Sequence, residues 1–400
     1  MVRVSGPAAW ELAATVGSCK LEDHRAVRAR YGHGDDGLAT AFAAERSPTG
    51  EPAVELSCHG SPASVRLLVE ACVTAGARRA RPGEFTERAF LHGRLSLDRA
   101  EAVRDAVEAA TERALRRASG GLAGAQGEPA RRAREAAMQA LVRIEADVDF
   151  SDEVGPFDRT EHIRALEEAA ELCRNAAASA AHGAVIRDGL RVALVGAPNA
   201  GKSSLFNALV GSERAIVTPH AGTTRDAIEA TIEVEGIAVT LVDTAGERDT
   251  DDPVEAIGIA RTGSERKRAD VVLRLIAPGE PLPSLERRER VVRSKADLLT
   301  KPPEDAVSAA TGNGLDRLLR SLVADLPTDA TTIPNARQGD LYAQASDSLK
   351  VAAETLHADL PPDLAVTMLH AALATLGAIT GETASPDLLH EIFSRFCIGK

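Results

Sequence analysis

Hydrophobic and polar positions change their period along the chain. In the first 94 residues, short apolar runs of strand length at 2–4, 38–44 and 53–57 alternate with turn clusters such as Ser47-Pro48-Thr49-Gly50. One helical stretch spans 62–75, and the mixture predicts a small α/β or α+β domain. From 96 to about 184 the texture turns to Ala, Glu and Arg, with apolar residues at helical spacing (Val103, Val107, Ala110, Ala114). Breaks near Gly120, Gly124, Gly127 and at 151–156 divide this stretch into three or four long helices. From 190 to about 326 apolar strands at 191–195, 238–242 and 271–276 alternate with helical segments, the pattern of a mostly parallel sheet covered by helices. Residues 327–334 have linker composition, and 339–396 return to Ala/Leu-rich helix. The α/β block is therefore inserted between two helical blocks.

Chemistry concentrates in that block. The strand at 191–195 runs into Gly196-Ala-Pro-Asn199-Ala200-Gly201-Lys202-Ser203 and then a helix at 204–210, a full GxxxxGK[ST] phosphate loop in its required strand-to-helix setting. Its backbone N–H groups and the helix N-terminus face phosphate oxygens, Lys202 reaches the β and γ phosphates, and the Ser203 hydroxyl is a Mg²⁺ ligand, with Ser204 beside it. Asp243-Thr244-Ala245-Gly246 closes the strand ending at Val242, so that a carboxylate meets a magnesium water and Gly246 faces the γ-phosphate. Between them, in Gly222-Thr223-Thr224-Arg225-Asp226, Thr224 is the candidate to complete the Mg²⁺ shell. Lys295 and Asp297 supply the side chains a guanine requires, and Ser308-Ala309-Ala310 suits a backbone contact to its O6. Four such elements in this order favour GTP over ATP. Ser294 stands where this base-binding motif has Asn, and its shorter side chain predicts a looser tie to the phosphate loop and reduced nucleotide affinity. Residues 270–295 are short for the helix and strands they should hold, so this edge of the domain is expected to be trimmed.

Composition narrows the alternatives. Phe 8, Tyr 2 and Trp 1 leave little for base-stacking surfaces. The net charge of −12 argues against nonspecific nucleic-acid binding. Yet 78–134 hold 13 Arg and no Lys against 8 Asp or Glu, a local basic stretch that is either a solvated helix face or a contact surface. The five cysteines are dispersed and form no CxxC pair, which predicts neither a disulfide framework nor a zinc site and suggests a reducing, cytoplasmic setting. No apolar stretch reaches the length of a membrane span on this reading.

Three segments carry a family resemblance: Arg81-Pro-Gly-Glu-Phe-Thr-Glu-Arg-Ala-Phe90, Gly222-Thr-Thr-Arg-Asp226 and the terminal Phe396-Cys-Ile-Gly-Lys400. In this order the chain resembles the tRNA uridine-modification GTPase family MnmE (TrmE) along essentially its whole length. The resemblance implies a P-loop GTPase α/β domain (187–330) inserted in a helical domain (96–186 and 331–400), preceded by a small α/β folate-binding and dimerisation domain (1–95). It implies K⁺-stimulated GTP hydrolysis serving the addition of a carboxymethylaminomethyl-type group to the wobble uridine of certain tRNAs. Implied partners are tRNA, a second copy of the chain, and an FAD-dependent protein (MnmG/GidA) in a heterotetramer; the implied one-carbon source is a 5,10-methylene or 5-formyl tetrahydrofolate.

Carried over by position, the GTP-binding set includes Thr218, Pro219, His220, Ala221, Gly222, Thr223 and Thr224. The resemblance assigns K⁺ to Asn199, Thr218, the His220 carbonyl and Thr223, and folate to Arg3, Glu55, Arg94 and Lys400. Arg94 stands where many relatives have Lys, and an imidazole at 220 is unusual for the family. Glu247 replaces the water-orienting Gln of Ras-like enzymes and no arginine finger is evident, so the resemblance assigns K⁺ to the finger's position and Glu255 to orienting the attacking water. Cys397 is a site candidate without an assigned role. Relatives start earlier, with a Gly-rich strand-loop before the residue matching Arg3; a missing first strand or a misassigned start bears on folate binding and dimerisation. Two other readings compete: a weakly hydrolysing GTP-binding scaffold, and a ribosome-assembly GTPase, which should carry an RNA-binding appendage.

Overall fold

The structure, a computed structural model, describes residues 1–149, 159–211, 228–244, 265–358, 360–397 and 399. The chain divides into two compact units, one made of 1–107, 121–178 and 337–400, the other of 108–120 and 179–336.

The first unit opens with strands β1 (Val2–Ser5), β2 (Ala26–Arg30), β3 (Asp36–Phe42) and β4 (Ala53–Leu56) in one antiparallel sheet of order β1-β4-β3-β2. Alternation sets the buried face: Ala39 and Ala41 of β3 are sealed while Leu38 is exposed. Helix α1 (Ala9–Gly17) and helix α2 (Pro62–Thr74) complete this core. Ser61 caps α2 by accepting the Ser64 N–H at 3.1 Å, and Pro62 occupies a first-turn position where its missing N–H costs nothing. Neither α1 nor β2 is among the elements read from the sequence.

Helices α3 (Glu84–Leu91), α4 (Leu97–Glu108), α5 (Glu112–Leu122), α6 (Glu128–Asp149) and α7 (Arg159–Asp188) follow, so the helical stretch holds four helices after α3. Buried alanines on α6, including Ala130, Ala133, Ala137 and Ala140, let neighbouring helices approach closely in the helical core. The C-terminal stretch, read as one helical block, forms three helices that here become α10 (Ala336–His357), α11 (Pro362–Thr380) and α12 (Pro386–Ser394), two of them opening on prolines. Against the sequence reading, residues Asp363–Thr380 are long and apolar enough to cross a membrane by length and composition. Their Ala365, Leu369, Ala372, Leu376 and Ile379 are nonetheless fully buried in the helical core, which accounts for that composition.

The first unit also brings two of the sequence's distinctive segments together. Gly83, at φ +68, donates its N–H to the Cys397 carbonyl at 3.4 Å, and a Cβ there would lie 2.5 Å from the Phe393 carbonyl oxygen. Leu97, Phe393 and Phe396 close a small core around the contact, with Phe90 packed on it.

The second unit is built on a five-stranded sheet of order β6-β7-β5-β8-β9: β5 (Leu190–Gly196), β6 (Ile228–Val234), β7 (Ile237–Asp243), β8 (Val271–Ile276) and β9 (Glu289–Arg293). Only β6 runs antiparallel to its neighbour. Helices α8 (Lys202–Val210) and α9 (Leu315–Val323) cover one face, through Leu205, Phe206, Leu209, Leu319 and Val323 against Val192, Leu194, Val239, Leu241 and Leu273. The expected trimming is visible. Residues 277–288 link β8 to β9 without a helix, and Pro278, Pro281 and Pro283 explain why none forms. Because β5 lies between β7 and β8, successive connections leave it in opposite directions, which makes the C-terminal edge of β5 the natural place for a ligand.

Candidate nucleotide-binding site

The phosphate loop begins where β5 ends. Gly196 sits at φ +152 with Leu275 O only 2.6 Å from where a Cβ would stand, so no side chain is tolerated there. Asn199 (φ 65) and Gly201 (φ 95) then turn the chain into α8. Gly201 offers no side-chain cap, which leaves the first N–H groups of α8 available to an anion. Lys202 is 8% exposed, and its ammonium donates to the Gly196 and Ala197 carbonyls at 3.0 and 3.1 Å, holding it across the loop. Ser203 and Ser204 are exposed in the first turn of α8.

Asp243 ends β7, in register with Leu194 of β5. Its Oδ1 is sealed from solvent with no hydrogen-bond partner among the described residues, while the adjacent Thr244 hydroxyl donates to Leu194 O at 2.5 Å. A buried carboxylate oxygen without a donor needs a cation or a water, and with the Ser203 hydroxyl this all-oxygen donor set fits Mg²⁺.

At the base end, Lys295 takes a left-handed conformation (φ 56) that starts a single 3₁₀ turn, Ala296–Leu298. The fully buried Ser308 donates its hydroxyl to Asp297 Oδ1 at 2.5 Å and accepts the Thr311 N–H at 3.2 Å. Ala309 is half-buried and Ala310 exposed in that loop. The two base loops are also joined by Ala296 N–H to Val307 O at 3.0 Å.

Ser294 changes the picture drawn from sequence. Its buried hydroxyl lies 2.7 Å from the Ala200 carbonyl and 3.1 Å from that of Ile276. The tie between base loop and phosphate loop is therefore present, made by a hydroxyl with one proton to share between two acceptors.

In the first unit, Arg3 and Glu55 face each other across β1 and β4, with Arg3 Nε and Nη2 on Glu55 Oε1 at 3.0 and 2.6 Å. Phe85, which the sequence left without a role, lies under the Arg3 guanidinium at 5.6 Å from ring centroid to charge centre. Arg94 makes a different contact, donating from Nη2 to Ala44 O at 2.6 Å. Glu84, quoted in the Arg81–Phe90 segment but given no function, is a buried hub. It accepts from Arg78 and Arg88 and from the Arg81 backbone N–H, and the Arg78 hydrogen bond, foremost, lowers its carboxyl to about 2. The Cys397 side chain is exposed. Thr218, Pro219, His220, Ala221, Gly222, Thr223, Thr224, Ala245, Gly246, Glu255 and Lys400 lie outside the described residues.

Comparison with known proteins completes the picture. The family model described as "GTP-binding protein TrmE N-terminus" matches residues 1–94, and the "MnmE helical domain" model matches 97–397. The chain belongs to the MnmE (TrmE) family. Proteins named tRNA modification GTPase MnmE resemble it along their length. That of Chloroflexus aurantiacus is 40% identical, covering 100% of this chain and 96% of that protein. Those of Symbiobacterium thermophilum and Xanthomonas campestris are 41% and 39% identical, covering 92% and 100% of this chain and 86% and 95% of theirs. Membership in MnmE explains why one helical model spans 97–397: the helical residues flank a P-loop α/β region, as the sequence pattern indicates.

Proposed function

We propose that this chain hydrolyses GTP in the service of tRNA wobble-uridine modification. The observation that carries the reading is the convergence, on one edge of the sheet, of a phosphate loop, Asp243 with an Oδ1 that has no hydrogen-bond partner among the described residues, and a base-binding pair of loops tied to the phosphate loop by Ser294. The link to tRNA rests on the name shared by the full-length relatives.

Lys202 neutralises the β and γ phosphates while the first-turn N–H groups of α8 hold their oxygens in place. Ser203, Thr224 and Asp243 would hold Mg²⁺, which would compensate the charge on the same oxygens. Asp297, pinned by Ser308, accepts the guanine N–H groups, with Lys295 along the ring. Glu255 orients the attacking water. Asn199, Thr218, the His220 carbonyl and Thr223 form the K⁺ site, which supplies the positive charge of an arginine finger.

Residues 1–95 bind a tetrahydrofolate derivative through Arg3, Glu55, Arg94 and Lys400 and mediate dimerisation; 187–330 form the G domain, and 96–186 with 331–400 the helical domain. An FAD-dependent partner completes the reaction, in the cytoplasm. The contact between Gly83 and Cys397 supports the folate assignment, because it carries the C-terminal tail to the Arg81–Phe90 segment. Purified protein is expected to hydrolyse GTP several-fold faster in K⁺ than in Na⁺; equal rates overturn the potassium part of the proposal, and no hydrolysis in either overturns the whole.

A further inference from the structure

We propose that Thr244 is a positioning residue for GTP hydrolysis: its hydroxyl, bonded to the main chain of β5, sets where the Asp243 carboxylate stands against the phosphate loop and thereby the affinity of the site for Mg²⁺. The inference deepens the nucleotide-site reading above and rests on it. Strand pairing makes the place. The β5–β7 ladder is parallel and its last pair is Leu194 with Asp243, two residues before the phosphate loop opens at Gly196. Thr244 lies one residue past that pair; it is 6% exposed, and its hydroxyl donates to Leu194 O at 2.5 Å. Among the described residues no join between the two strands lies further toward the phosphate loop.

Asp243 does not fix its own carboxylate. Its Oδ1 is sealed from solvent and has no hydrogen-bond partner among the described residues, so no donor to that atom sets its position. The carboxylate is placed instead by its backbone, through the ladder pair with Leu194 and through the residue that follows. Mg²⁺ demands near-ideal octahedral geometry, so a small displacement of the carboxylate is felt as lost metal affinity. Threonine suits the task because its β-branched side chain has few χ1 rotamers, and a hydroxyl bonded to Leu194 O therefore also holds the backbone next to Asp243. Valine has the same shape without the donor. The sequence places Thr244 in the GTP-binding motif, yet a buried hydroxyl whose one proton goes to Leu194 O has none left for a phosphate.

Ser294 supplies the contrast. Its hydroxyl, 2.7 Å from Ala200 O and 3.1 Å from Ile276 O, ties the same phosphate loop to the base loop. Two hydroxyls, each on a main-chain carbonyl, thus flank the loop: Thr244 beside the carboxylate that ends β7, and Ser294 beside Lys295 after β9. Their positions divide the labour. Loss of the Thr244 hydroxyl acts through the metal, whereas loss of the Ser294 hydroxyl acts on the nucleotide whether or not metal is present.

The test uses the full chain and a fluorescent, non-hydrolysable GTP analogue, bound first in EDTA and then across a Mg²⁺ titration. Thr244→Val should bind the analogue in EDTA as the wild type does, but need about fivefold more Mg²⁺ to reach half of the metal-dependent gain in affinity, the effect of one lost hydrogen bond. Thr244→Ala, which removes the same hydroxyl without the valine's second methyl, should show the same shift, and Thr244→Ser should restore the wild-type midpoint. Ser294→Ala should weaken binding equally in EDTA and in Mg²⁺. Melting curves show that each variant is folded. A wild-type Mg²⁺ midpoint in both Thr244→Val and Thr244→Ala, or a loss of the same size in EDTA and in Mg²⁺, overturns the proposal while leaving the nucleotide site intact; a wild-type chain that binds no analogue overturns the reading of the site as well.

Discussion

The phosphate loop and the Arg3 cluster are assembled in opposite ways. In the loop, the contacts that hold Lys202 and turn the chain join near neighbours: Lys202 reaches carbonyls five and six positions back, and three positive-φ residues between 196 and 201 make the turn. The Arg3 cluster joins residues 52 positions apart in Arg3–Glu55 and draws in Phe85 from a third segment. The first kind of site is dictated by local backbone geometry and survives wherever its short motif survives. The second depends on strand register, since a slip by one residue would turn Arg3 to the other face of β1.

Perturbations should separate the two. The largest effect is expected at the phosphate loop, where Lys202→Ala removes a preorganised charge and should cut GTP turnover by about 10²–10³-fold, measured as phosphate release at saturating GTP; melting temperature should hardly move. In the first unit the reverse is expected. Gly83→Val forces a branched side chain into a left-handed backbone against the Phe393 carbonyl, and should cost about 1–3 kcal/mol in thermal unfolding, with phosphate-loop affinity for GDP preserved.

Next in size is a pH effect confined to the first unit. The folded pKa of Glu84 is depressed from the usual 4.5 to about 2, so the stability it contributes is complete above 4.5 and is lost as pH falls toward 2. Melting curves of Glu84→Gln should be lower than wild type at neutral pH and converge with it at the acid end; parallel curves would show that the arginine contacts of Glu84 are not what sustains the fold. The smallest effect is expected at Ser294. Removing its hydroxyl in Ser294→Ala costs one neutral hydrogen bond, about 1 kcal/mol, and should weaken GTP and GDP alike by about fivefold, with Ser294→Thr close to wild type.

What the sequence made legible follows the same division. The phosphate loop, Asp243 and the Lys295–Asp297 pair were readable because each is a short motif at a strand end, and β5, β7 and β8 because apolar runs of strand length bounded by turns have few other meanings. Helix α1 and strand β2 were not, since Ala9–Gly17 and Ala26–Arg30 are short, alanine-containing segments without a clear period. The three-arginine environment of Glu84 and the ring of Phe85 under Arg3 are contacts between segments, and no spacing along the chain announces them. Ser294 lies between these cases: its position is legible, its short side chain predicts a looser tie, and the close approach of Ala200 O is what lets a hydroxyl make the tie.

Nucleoside mass spectrometry of tRNA shows whether GTP turnover at Lys202 serves the chemistry of a wobble uridine. In cells lacking the gene, the carboxymethylaminomethyl-type uridine should disappear, return with the wild-type chain and stay absent with Lys202→Ala expressed at the same level. Unchanged nucleosides on deletion, or full restoration by Lys202→Ala, would separate GTP turnover in this chain from the modification.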